Sequence, residues 1–251
     1  MKLAFSKPIN DKKKKNVLFT NFRCIGYDGL QLKRDQYHHY IINPERFIND
    51  WGNFPGVASG LITGGGLDEE CMADLRKVFV FGKAVKSELV IFMINAPRKG
   101  LSKKDIKQFA STLSELGKEA QQFGIKLSLH HHFNSPLTYR EDFDIFFDTV
   151  NNQSVGLTVD TAHLVMSGIE NIGEIIRDFK HVIDNFHLKD FANSEFNILG
   201  KGRINFVSVF AAIKEIGYEG WICADEESGS DVLWAMQESL KFIKNRIEGI
   251  A

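Results

Sequence analysis

Eight short apolar runs, each closing on polar or glycine-rich sequence and interleaved with stretches of helical periodicity, constrain the fold of this chain more than any other feature. They read "LAFSKP", "GYDGLQLK", "VASGLITGG", "ELVIFMINAP", "IKLSLHHHF", "VGLTVDTAH", "VIDNFHLKD" and "GWICADEES". Each has the length and the β-branched or large apolar content of a buried strand. Between them, "DEECMADLRKVFVFGKAVKS", "SKKDIKQFASTLSELGKEAQQFG", "EDFDIFFDTVNN", "NIGEIIRDFK" and "NFVSVFAAIKEIG" place apolar residues at helical spacing. Ser102, followed by Asp105, and Asn205 stand as helix N-caps, and Gly124 and Gly217 close two helices. Strands alternating with helices predict a parallel sheet, and eight strands close it into a (β/α)8 TIM barrel. An open doubly wound sheet is the competitor, but the phosphate-binding glycine fingerprint after its first strand is absent. No linker or repeat divides the chain, so residues 1–251 are expected to form one domain.

A composition of 43% hydrophobic and 25% charged residues supplies a sizeable core. The net charge of −1 carries no bulk signal for nucleic acid or an anionic membrane surface. The basic run Lys12 to Lys15 reads as a solvated helix start. No apolar window reaches the roughly 18 residues that a membrane helix needs, and "MKLAFSKPINDKKKK" lacks the charge order of a signal peptide. Cys24, Cys71 and Cys223 form no CxxC pair, which fits a reducing, cytoplasmic setting. The aromatics Trp51 and Phe54 are expected to be exposed and to mark a homo-oligomer contact.

In such a barrel the C-terminal strand ends line one mouth, so position becomes evidence of function. Ionisable residues gather at four of these ends: His130 to His132, Asp160 with His163, His187 with Lys189 and Asp190, and Asp225 to Glu227. Strand alternation puts Ser128, His130 and His132 on one face and Leu127, Leu129 and His131 on the other. His130 and His132 are therefore expected to point into the site and His131 away from it. Asp160, His187 and a carboxylate of "ADEES" make a mixed set suited to Mn2+, Co2+, Zn2+ or Mg2+, although Asp160 would also serve as a helix cap. Arg203 stands where an anion or sugar hydroxyl could be met, or is a surface arginine at a helix start. His181 reads as a surface residue, and His38 and His39 as either an exposed loop or a cover for the mouth.

The stretches "VGLTVDTAHLVMSG", "HLKD", "LGKGRINFVSVFAAIKEIGYEGW" and "ADEES" resemble the xylose isomerase-like (AP endonuclease family 2) barrels, which include sugar isomerases, epimerases and inosose dehydratases. The likeness spans mainly Ile125 to Ser228. It implies an ion held by a fifth-strand Glu, a sixth-strand Asp, a seventh-strand His and an eighth-strand Glu. Carried over, Asp160 and His187 match. The eighth-strand position, four residues after the Trp of "GYEGW", is Asp225, with Glu226 as its neighbour should the strand end be shifted by one. His163 matches a histidine that touches substrate or lies beside the ion, and His132 one that is a substrate contact or base. The chain departs from the pattern where many relatives read Glu-Asn-His, for here stands His130-His131-His132. Where another subset carries a compensating Glu, this chain has Ser135. The inosose dehydratase branch also runs three histidines there.

Residues and resemblance together lead to an expected assignment: a metal on His130, Asp160, His187 and Asp225, with His132 as base, His163 and Lys189 as hydroxyl or enolate partners, and Arg203 and Glu226 on the substrate. The expected activity is metal-dependent isomerisation or epimerisation of a keto sugar or related polyhydroxy ketone through an enediolate. A dehydratase and a non-catalytic sugar-binding barrel are the alternatives. An abasic-site nuclease would need further His and Glu ligands where the second to fourth strands end in "LQLKRD", "ITGGG" and "MINAP".

Overall fold

The computed structural model describes residues 1–150 and 153–249. Eight parallel strands close into a barrel: β1 (Lys2–Ser6), β2 (Gly29–Leu32), β3 (Gly60–Gly65), β4 (Leu89–Ile94), β5 (Lys126–His130), β6 (Val155–Asp160), β7 (Ile183–Leu188) and, after a small antiparallel hairpin of β8 (Asp190–Ala192) and β9 (Glu195–Asn197), β10 (Trp221–Asp225). The first seven pair in chain order, and β10 closes the ring between β7 and β1. All eight apolar runs are barrel strands.

The helices follow the same logic of patterned burial. Lys103–Gln122 opens on the Ser102–Asp105 capping box, and Phe206–Glu215 is capped by Asn205. Gly124 and Gly217 follow their helices at positive φ, the left-handed conformation a glycine adopts without strain. The lysine run opens the helix Lys12–Ile25, capped by Asp11. In "EDFDIFFDTVNN" the described helix ends at Phe147, and Asn151 and Asn152 lie outside the described residues. No helix is long and apolar enough to cross a membrane among the described residues.

The main core fills the space between barrel and helices and is rich in Phe, as a two-layer α/β architecture requires. Inside the barrel a smaller apolar cluster of Ala4, Leu89, Ile91, Trp221 and Cys223 plugs the lower end. Above it lies a polar layer, Ser128–Thr158 at 2.8 Å, Asn185–Thr158 at 3.4 Å and Gln31–Asn185 at 2.8 Å, and the ionisable groups sit on top of that layer. Trp51 and Phe54 are half-buried rather than exposed: Trp51 packs its edge on Phe19 and donates to the Tyr40 hydroxyl. Their apolar area therefore goes into the fold, which removes the reason for reading them as an oligomer contact.

Candidate active site

The register of the sheet delivers the strand-end groups to one place. Asp160 pairs with His187 across β6 and β7, and Asp225 with Ser6 across β10 and β1. Since inward residues alternate, Ser128 and His130 of β5, Thr158 and Asp160 of β6, Asn185 and His187 of β7, and Cys223 and Asp225 of β10 all face the lumen.

Asp160 caps a helix with one oxygen and presents the other to the lumen. Its Oδ1 accepts from the amides of Ala162 and His163 at 3.0 and 3.1 Å and caps the helix Thr161–Met166, while Oδ2 faces the lumen. There it meets His130 Nε2 at 3.2 Å, Lys189 Nζ at 3.4 Å, His163 Nε2 at 3.9 Å and His187 Nδ1 at 4.0 Å. Burial alone would raise its pKa, but Lys189, His163 and His130 outweigh that and hold the carboxyl well below its usual range.

His187 is fully buried. Its Nε2 lies 2.8 Å from Gln31 Oε1, an acceptor, so that nitrogen carries the hydrogen and Nδ1 presents a lone pair. Nδ1 has no hydrogen-bond partner and points at Asp225 Oδ2, 3.5 Å away. Burial, against the pull of Asp225, brings the ring's pKa down to about 3, which keeps it neutral. Gln31 was missed in the sequence, as was Lys33 two residues on. The period-two reading that sorted "LSLHHH" would have placed Gly29, Gln31 and Lys33 on the inward face of β2.

The three consecutive histidines separate as alternation requires. His131 faces outward, where its Nε2 accepts the amide of Asp160 at 3.0 Å and its ring packs on Phe143. His130 lies inward, 4.8 Å between ring centroids from His187. His132 lies at the rim, its ring 3.6 Å from that of His163. The Nδ1 of His132 donates to the Phe133 carbonyl at 3.2 Å, leaving Nε2 as the free lone pair, and burial followed by His130 lowers its pKa. Ser135 holds this turn by accepting the His132 amide at 3.0 Å. His163 is buried without a hydrogen-bond partner on either nitrogen, and burial pushes its pKa far down.

Lys189 meets Asp225 Oδ2 at 2.9 Å and Glu227 Oε1 at 3.3 Å, and Lys33 meets Asp225 Oδ1 at 2.7 Å and Glu227 Oε1 at 2.8 Å. Burial disfavours both charges. Asp160 and Asp225 for Lys189, and Asp225 and Glu227 for Lys33, reverse that and raise both pKa values. A cleft of about 210 Å³ opens over this set, lined by Lys33, His130, His132, His163, Lys189 and Glu227.

Two expected site residues are not brought to the cluster. Glu226 turns away, buried against Lys7 and accepting the Ser228 amide at 2.6 Å, and it is Glu227 that reaches the lysines. The alternation of β10 ends at Asp225, and the Glu226 amide is committed to the Ser6 carbonyl. Arg203 is exposed and lines a different depression with Glu170, Phe191 and Asn193. The "LGKGRI" loop there wraps the chain's own Asp190, whose carboxylate accepts the amides of Phe191, Gly200, Gly202 and Ile204 at 2.8–3.2 Å. A Cβ at Gly202 would run into that carboxylate. His38 is exposed beside Asp74, 3.8 Å away, and lines a separate depression with Arg34 and Cys71 rather than covering the cleft.

The donor set fits a divalent ion. Asp160, His187 and Asp225 offer ligand atoms within 4.8 Å of one another, and so do His130, Asp160 and His163. The separations of 3.2, 3.5 and 4.0 Å are near the roughly 3.0–3.5 Å edges of a polyhedron with bonds of about 2.0–2.2 Å. The orphaned Nδ1 of His187, its tautomer fixed from behind by Gln31, is what a metal ligand of this kind requires.

A closed eight-stranded α/β barrel whose strand ends gather imidazoles and carboxylates within ligating distance defines the class. The chain belongs to the xylose isomerase-like TIM barrel family, whose model matches residues 24–246. It is 29% identical over 151 residues to the inosose dehydratase of Clostridium botulinum (strain Alaska E43 / Type E3), covering 53% of this chain and 50% of that one. The inosose dehydratase of Clostridium perfringens (strain 13 / Type A) is 26% identical over 160 residues, 56% of this chain and 54% of that one. The chain thus spans about half the length of these curated relatives. Among solved structures, L-ribulose 3-epimerase superposes with a TM-score of 0.82 at 15% identity over 99% of this chain and 95% of that chain. The IolI protein with a zinc atom gives 0.78 at 18% identity, covering 99% of each. Both share the fold.

Proposed function

We propose that the protein is a divalent-metal-dependent enzyme that removes a proton beside the carbonyl of a keto sugar or related polyhydroxy ketone. The observation that carries this reading is the gathering of His187 Nδ1 and Asp225 Oδ2 about Asp160 Oδ2, which His130 Nε2 also meets at 3.2 Å, at the floor of a cleft lined by His132. When bound, the ion supplies Lewis-acid stabilisation of charge developing on the carbonyl oxygen. His132 takes the carbon-bound proton on Nε2; its Nδ1–H is tied to the Phe133 carbonyl and its lowered pKa keeps it neutral near pH 7. His163, its ring tilted against that of His132 and both its nitrogens without a hydrogen-bond partner, meets a substrate hydroxyl. The inosose dehydratase and L-ribulose 3-epimerase relatives support a carbohydrate substrate.

Return of the proton makes the protein an isomerase or epimerase. A second reading, loss of a β-hydroxyl as in a dehydratase, is favoured by the two ammoniums of Lys33 and Lys189 at the cleft and by the engagement of Asp225 and Glu227 with them. Those pairings leave His132 as the base with a free lone pair, whereas epimerisation calls for a base on each face of the substrate.

The test is solvent deuterium uptake into keto sugars and inososes by the Mn2+- or Co2+-loaded protein, followed by mass spectrometry. We expect uptake that depends on the ion and falls about 10²–10⁴-fold in His132→Ala. Appearance of an unsaturated product would select elimination. Absence of uptake from every substrate, or uptake indifferent to His132→Ala, would reject the assignment.

A further inference from the structure

Asp225 is engaged on both oxygens: Lys33 Nζ lies 2.7 Å from Oδ1 and Lys189 Nζ 2.9 Å from Oδ2. Both ammoniums also meet Glu227 Oε1, at 2.8 and 3.3 Å, which closes a ring of alternating charge at the cleft floor. Lys189 reaches one step further, to 3.4 Å from Asp160 Oδ2. The two carboxylate oxygens bridged by Lys189 are the same two that would serve a divalent ion together with His187 Nδ1. An ion about 2.1 Å from Asp225 Oδ2 and an ammonium 2.9 Å from that atom would lie within about 5 Å of each other in a site shielded from water, where like charges repel strongly.

We infer that Lys189 and a divalent ion compete for Asp160 Oδ2 and Asp225 Oδ2, and that ion entry displaces the Lys189 ammonium into the substrate cleft while Lys33 keeps hold of Asp225 by its other oxygen. The inference rests on the metal reading proposed above. The displaced group has partners waiting: Glu227, which is partly exposed, and the face of Phe196, whose ring centroid lies 4.9 Å from Nζ. The four-carbon stem of lysine permits such a swing without movement of β7. Charge favours it as well. Three carboxylates, Asp160, Asp225 and Glu227, face the two ammoniums for a net −1, and a divalent ion turns this to +1. The freed ammonium then adds to a positive cleft that matches the negative charge of an enolised substrate. On this account Lys33 is a positioning residue that acts through Asp225.

The test is calorimetric titration of chelator-stripped protein with Mn2+, Co2+ and Zn2+, for wild type, Lys189→Met, Lys189→Gln and Lys33→Met. Folding of each variant is checked by thermal melting, and the Co2+ visible spectrum reports the ligand set. We expect both Lys189 variants to bind the ion about tenfold more tightly or better, through loss of the competing charge. Lys33→Met should bind it more weakly, because Asp225 loses its anchor. Unchanged or weaker binding in the folded Lys189 variants would overturn the inference and leave the proposed function standing if wild type binds the ion. Binding by the Lys189 variants with none by wild type would uphold competition and reject the proposed function. No binding by any of them would reject both.

Discussion

His187 can offer a ligand nitrogen because a residue on the opposite side of the barrel settles which of its two nitrogens bears hydrogen. Gln31 Oε1 accepts from Nε2 at 2.8 Å, and the same amide exchanges hydrogen bonds with Asn185. Both partners are fully buried, so neither can turn to water when Gln31 is removed. Gln31→Leu should therefore leave two buried polar groups short of a partner and cost about 2–4 kcal/mol of stability, readable as a lower urea midpoint at an unchanged slope. Ion affinity should fall by about 10–100-fold in the same variant, since the imidazole loses its fixed tautomer. A variant as stable as wild type would mean that the amide is not the support described. The directions in which His130 and His131 face were legible at this scale, because period two is a steric property of any strand. Gln31 and Lys33 obeyed the same period, but as uncharged amide and solitary lysine they did not stand out as ligands do.

At the scale of elements, the eight strands and the patterned helices were legible because burial on both faces of a parallel sheet demands nearly continuous apolar runs, and a helix against it demands one apolar stripe. The connections obey no such period. The β8–β9 hairpin is built of three-residue strands joined through Asn193 and Ser194, both at positive φ, and nothing in "KDFANSEFNIL" alternates strongly enough to announce it. The glycines of "LGKGRI" were visible, yet their purpose, wrapping the Asp190 carboxylate in three of the loop's amides, depends on a fold-back of ten to fourteen residues. Asp190→Ala should release that loop. Charge-assisted hydrogen bonds to four part-buried amides are lost, and we expect a destabilisation of about 3 kcal/mol together with faster proteolytic nicking between 191 and 204. Asp190→Asn, which keeps one acceptor oxygen, should lie between the two. An unaltered cleavage pattern in Asp190→Ala would count against the carboxylate as the organiser of this loop.

For the whole molecule, the site is a reservoir of buried charge whose cost appears as acid sensitivity. His131 and His187 are held neutral, their pKa values lowered by burial to about 3. In the unfolded chain the same rings protonate near 6.5. Between those limits the unfolded state binds more protons than the folded one, so stability falls as pH falls, by up to about 1.4 kcal/mol per pH unit for each ring. His163, lowered further still, adds to the same slope. Asp160 and Asp225 act lower down: burial opposes their ionisation, but Lys189 and its neighbours hold both pKa values well below the usual range. Their contribution is present above about pH 4, the unfolded value, and is lost below it. The lysines carry the opposite sign: with raised pKa values, Lys33 and Lys189 stabilise fully below about pH 10 and fail only in strong alkali. A plateau between about pH 7 and 8.5 should follow, ended on the alkaline side by Cys223, whose buried thiol stays protonated in the folded barrel while that of the unfolded chain ionises near 8.5, and a descent on the acid side begins near 6.5. Urea titrations of chelator-treated protein at pH 7.5, 6, 5 and 4.5 would check this, and His131→Asn, which removes one buried ring outside the ion's reach, should flatten the descent by about one proton. A wild-type midpoint constant from pH 7.5 to 5 would mean that these rings are open to protonation in the folded barrel.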